Sequence, residues 1–131
     1  MKDSVKSLFY RLERGGKMLM AKPPIETMID SFVYHEYLSD DGDWGKPEYA
    51  EPVEITKCRI DRGSQYSNSA SGKQLIYNGL LFCYPGMTTP CPEFKEQSKL
   101  VYDGKEHIIT KLVTVMEPYE NKVYCYELEV V

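Results

Sequence analysis

No stretch of this 131-residue chain approaches the ~20 consecutive apolar residues of a membrane-spanning helix. The lysine-bearing N-terminus has no apolar core of the kind a signal peptide carries. Histidine and tryptophan are scarce, at two and one. The common catalytic spacings are missing: there is no G-x-S-x-G nucleophile turn, no glycine-rich phosphate loop and no H-E-x-x-H pair. His35 lies between Tyr34 and Glu36 in a strand pattern, and His107 follows a turn, where a surface place on a hairpin is expected. An enzyme would need one of them to converge with a distant carboxylate. The four cysteines (Cys58, Cys83, Cys91 and Cys125) lack the paired spacing of a zinc knuckle, and three fall in strand patterns where a small thiol packs well. They read as reduced thiols of a protein made in the cytosol, and no cofactor or metal is expected.

Basic charge is also short in the body of the chain. Six basic against two acidic side chains put +4 on residues 1–24, which leaves −8 on the remainder of a chain whose net charge is −4. A nucleic-acid reader of this size needs a basic face with interleaved aromatics, and here the tyrosines sit among Glu and Asp. Asp40-Asp41-Gly42-Asp43 fails the EF-hand spacing and reads as a solvated turn anchored by Trp44.

What the sequence does contain is β-structure. Met28–Leu38 alternates with Phe32 and Tyr34 on one face, and Val53–Asp61 forms a second strand. Gln74–Tyr84 is a third, with Gly79 marking a bulge or a close approach. Pro85–Pro92 reads as a stiff crossover. From Lys99 a β-meander runs to Val131. Asp103-Gly104 suits a type I′ hairpin, a second turn is built on Pro118, and Tyr124, Tyr126, Leu128 and Val130 share one face of the last strand. The C-terminus is therefore expected inside a sheet.

Residues 4–13 place Val5, Leu8, Phe9 and Leu12 on a short helical stripe ended by Gly15-Gly16. Residues 1–24 are read as an N-terminal arm, a short helix or a translated leader ahead of Met18 or Met20, and residues 25–131 as one β-domain. Between the second and third strands lies Arg62-Gly63-Ser64-Gln65-Tyr66-Ser67-Asn68-Ser69-Ala70-Ser71-Gly72-Lys73, too polar to order itself by burial and too long for an idle turn. The expectation is a mobile loop that lines a channel or meets a neighbour. The structural turns are placed at Trp44, Gly45 and Pro47, at Asp103 and Gly104, and at Pro118. Six strands with short connections make an all-β fold, a small antiparallel six-stranded barrel or strongly bent sheet with one long inter-strand loop. An incomplete sandwich is the alternative.

Trp44-Gly45-Lys46-Pro47-Glu48-Tyr49, Glu51-Pro52-Val53-Glu54-Ile55 and Arg59-Ile60 resemble the minor capsid proteins of tailed phages and prophages of Gram-positive bacteria. The likeness resumes at Asn78-Gly79-Leu80-Leu81-Phe82 and Tyr102-Asp103-Gly104-Lys105-Glu106, and runs through Glu117-Pro118 to Tyr126-Glu127-Leu128. It implies a head completion, connector or stopper protein of the virion, a ring of small β-barrels between portal or adaptor above and tail-joining protein below. DNA would pass without sequence-specific binding, no membrane would be involved, and assembly would take place in the host cytoplasm. An acidic body suits such a duct, because it does not grip phosphates. The competing binding-module reading is an OB-like barrel that stacks single-stranded nucleic acid on its tyrosines.

Overall fold

Period-two alternation in the last strand sets the pattern for the whole molecule. Tyr126, Leu128 and Val130 are buried in the core, because successive side chains of a strand point to opposite faces and these three take the inner one. Tyr124, expected on the same face, lies at a ladder irregularity and is buried against Tyr84 and the Ala21 carbonyl. The computed structural model of the chain describes residues 10–12 and 18–131. In chain order its strands are β1 (Tyr10–Leu12), β2 (Met18–Met20), β3 (Asp30–His35), β4 (Tyr37–Ser39), β5 (Glu48–Tyr49) and β6 (Val53–Asp61). They continue as β7 (Gln65–Ser69), β8 (Gly72–Tyr77), β9 (Gly79–Cys83), β10 (Lys99–Tyr102), β11 (Lys105–Met116) and β12 (Val123–Val130).

Six of these close into an antiparallel barrel in the order β10-β11-β12-β9-β6-β3, with β3 returning to β10. Closure removes the open edges that a six-stranded sheet would otherwise expose. β12 is central: Val130 lies opposite Ile109 on one side and Gly79 on the other, so the C-terminal strand is interior to the sheet. The core mixes fully buried Ile55, Leu81, Leu100, Ile109, Leu128 and Val130 with the rings of Phe32, Tyr34, Phe94, Tyr102 and Tyr126. No helix of the described residues is long and apolar enough to cross a membrane.

Turn chemistry behaves as the residues dictate. Asp103 and Gly104 both take positive φ, 53° and 71°, and Tyr102 faces Lys105 across the hairpin, which is the type I′ geometry. Gly79 has a different reason to be glycine, because a Cβ there would run into the Tyr102 hydroxyl.

Three expectations are corrected. Tyr10–Leu12 is extended and pairs with Met18–Met20, so the helix expected over 4–13 does not reach these residues; one this short has too few hydrogen bonds to offset nucleation. The rest of it lies outside the described residues. The strand expected over Met28–Leu38 breaks at Glu36, and β4 turns away to pair with β5. Ser98 holds that departure, its Oγ accepting the Tyr37 N–H at 2.9 Å. The strand expected over Gln74–Tyr84 breaks at Asn78, leaving β8 outside the barrel and β9 within it.

The segment between β9 and β10 does more than cross over. Phe94 is 3% exposed and packs its ring against Tyr34, Tyr126 and Phe32 at centroid distances of 5.1, 5.6 and 6.2 Å. Thr89 exchanges backbone hydrogen bonds with Thr56 at 2.9 and 3.0 Å. Lys95 N–H donates to the Tyr34 hydroxyl at 3.0 Å. Together these contacts plug one end of the barrel.

Candidate functional site

Residues 62–74 are not a structureless loop. Gln65 lies opposite Tyr77, Tyr66 opposite Leu75, Ser67 opposite Gln74, Asn68 opposite Lys73 and Ser69 opposite Gly72. Composition understates this segment because a hairpin ladder is made of main-chain hydrogen bonds, which Ser, Asn and Gln supply as well as any residue. At the tip the Ser69 hydroxyl bonds to the Gly72 carbonyl at 3.1 Å and to Ser71 Oγ at 2.9 Å.

This β7-β8 arm forms its own two-stranded sheet and shares no ladder with the barrel. Register places Tyr66, Leu75 and Lys73 on one face. Tyr66 is 53% exposed and Leu75 39%, and Ile76 is exposed on the opposite face. A lone two-stranded hairpin is marginal in water, and this one carries exposed apolar side chains on both strands.

The arm's base is clamped. Arg62 donates to both oxygens of Asp103, at 2.6 and 3.3 Å, and to Asp30 Oδ1 at 3.1 Å. The second Asp30 oxygen accepts the Ile60 N–H at 2.9 Å. One guanidinium thus joins the start of β3, the end of β6 and the β10-β11 turn in the forked geometry that arginine favours. The hydrogen bond from Arg62 holds the Asp103 carboxyl below its ordinary range. On the returning strand, Asn78 N–H donates to the Val130 carbonyl at 2.7 Å.

Beside the clamp lies a cleft of about 550 Å³ lined by Arg62, Ser64, Asn78, Tyr102, Asp103, Lys105 and His107. His107 lies on the hairpin as its place after the turn suggests, but is half-buried. Its ring stacks on Tyr102 with centroids 4.1 Å apart and planes 5° from parallel, and burial lowers its pKa. His35 bonds elsewhere, with Nδ1 3.4 Å from the Ala50 carbonyl. The cleft's one aspartate is paired with Arg62 at the base of the arm.

Trp44 does not anchor its turn. It is 96% exposed, because left-handed backbone at Trp44 and Gly45 (φ 63° and 72°) directs the chain so that the indole points outward. Backbone bonds from Gly45 N–H to the Gly42 carbonyl and from Lys46 N–H to the Asp43 carbonyl hold the turn instead, at 3.1 and 3.3 Å. Pro47 leads from it into β5. Pro118 lies in the β11-β12 turn, closed by Glu117 N–H to the Lys122 carbonyl at 2.8 Å. Successive connections of an antiparallel barrel leave from alternate ends, so the arm and the Asp103-Gly104 turn lie at one end. The Trp44 turn, the plug and the Pro118 turn lie at the other.

Three tyrosines that a stacking platform would need exposed (Tyr34, Tyr102 and Tyr126) are buried in the barrel core. Sequence reasoning missed Asp30, Phe94 and Ser98. Each acts on partners tens of residues away, and only the Asp30 and Phe94 side-chain types hinted at a role.

The minor capsid protein family matches residues 24–130, which contain the whole barrel, the arm and the Trp44 turn. The chain belongs to that family. Two phage relatives carry the description "Uncharacterized protein ORF5". The one from Lactococcus phage LL-H is 36% identical over 81 residues, covering 60% of this chain and 69% of its own length. The one from Lactococcus phage mv4 is 29% identical over 73 residues, covering 53% and 65%. The chain thus spans about two thirds of the length of these relatives. No solved structure matches it. As a phage minor capsid protein the chain has a structural role in the virion, and its barrel is the scaffold for that role.

Proposed function

We propose that this minor capsid protein is a subunit of the head–tail connector, forming a ring that joins the portal or an adaptor to the tail and helps retain DNA. The arm is the observation that supports the reading. It leaves a barrel with no open edges of its own, is held at its base by Arg62, and exposes Tyr66, Leu75 and Ile76. A closed barrel that must join neighbours does so through projections. The acidic balance fits a wall past which DNA slides without being gripped.

The test is to replace residues 65–77 with a short glycine linker in the encoding phage. The barrel should still fold, because loop length changes closure entropy by only ~0.6 kcal/mol per doubling. Micrographs should show tailless particles or emptied heads. Full infectivity with tailed, DNA-filled particles would overturn the reading.

A further inference from the structure

Each end of the barrel carries an exposed apolar feature on a projection, and the two are complementary in charge. The β3-β6 connection, residues 36–52, carries Glu36, Asp40, Asp41, Asp43, Glu48 and Glu51 against one lysine, Lys46, and presents Trp44 at 96% exposure. The arm region, residues 62–78, contains no acidic side chain and sets Lys73 on the same face as Tyr66 and Leu75. One surface is an exposed indole on an acidic loop. The other is an apolar pair beside a cation.

We propose that in the ring the Trp44 turn of one copy docks on the arm of the next, with the indole on Tyr66 and Leu75 and Lys73 facing Asp40, Asp41 and Asp43. This rests on the ring reading and adds to it the partner surface. Charge chooses the pairing. Arm against arm would bring Lys73 to Lys73, turn against turn would crowd carboxylates together, and only arm against turn relieves both. The two surfaces differ and leave from opposite ends, so the contact is heterologous, the kind that closes into rings when its rotation permits. Trp44 has the profile of an interface anchor, a large rigid side chain whose removal costs the free subunit nothing. Its left-handed backbone, uncommon for a bulky residue, is the conformation that presents the indole.

The test introduces p-benzoylphenylalanine in place of Trp44 in the encoding phage and irradiates purified particles. Mass spectrometry should find one copy joined to a second at residues 65–77. Lys73→Glu should lower that yield roughly tenfold, and adding Asp41→Lys and Asp43→Lys should restore it. In the purified chain Trp44→Ala should leave the melting temperature unchanged, which separates lost docking from lost folding. Cross-links to another virion protein, to a different part of a second copy, or indifferent to Lys73→Glu would overturn the docking and leave a ring intact. Particles holding a single copy of the chain would overturn the ring reading itself.

Discussion

His107 shows how much one side chain can report about this fold. It lies flat on Tyr102, and burial lowers its pKa from the ordinary value, which is ~6.5 in an unfolded chain. As pH falls below ~6.5 the unfolded state takes up a proton before the folded one does, so stability declines towards the folded pKa; above ~6.5 both forms are neutral and nothing is lost. Asp103 acts in the same sense further down. Its carboxyl is held below its ordinary range by Arg62, so that contribution is present above ~3.9 and disappears in stronger acid. The denaturation midpoint should therefore drop between about pH 7.5 and about pH 5.5. His107→Phe, which keeps an aromatic ring against Tyr102, should remove most of that slope. Equal slopes in both proteins would place the pH sensitivity at another group.

At the scale of elements, the strands that alternate cleanly were legible in the sequence and those that do not were not. Phe32 and Tyr34, or Tyr126, Leu128 and Val130, announce an inner face because burial and period two coincide there. Asp103-Gly104 announces its turn because few other pairs tolerate two positive φ angles. The arm was hidden: Ser, Gly and Asn look the same in a mobile loop and in a hairpin held by backbone bonds. Trp44 misled for the opposite reason, since a large aromatic residue suggests burial and here the backbone points it into solvent. The plug was legible as a connection but not as core, because Phe94 has no periodic apolar neighbours to mark it. Its weight can be measured. Phe94→Ala removes a ring packed against three others and should cost about 3–5 kcal/mol by chemical denaturation. A loss under about 1 kcal/mol would show that residues 84–98 lie over the core without completing it.

On the scale of the whole molecule, the barrel and its projections are built to different standards of stability. β12 is laddered on both sides, to β9 and β11, and the core side chains of all three are buried. The arm is laddered only within itself and stays attached through Arg62 and Asn78. Local opening free energies follow such differences, from near zero at exposed hairpins up to the global value in a closed core. Hydrogen exchange of the free chain should therefore divide into two classes. Amides of β6, β9 and β12 should exchange only with global unfolding and share one denaturant dependence, while those of residues 65–77 exchange orders of magnitude faster. In purified virions the second class should slow markedly and the first should not change, because the proposed docking covers the arm and adds nothing to a barrel already closed. An arm that exchanges as fast in virions as in the free chain would mean that no partner rests on it, and the connector role would have to be carried by the turns at the other end.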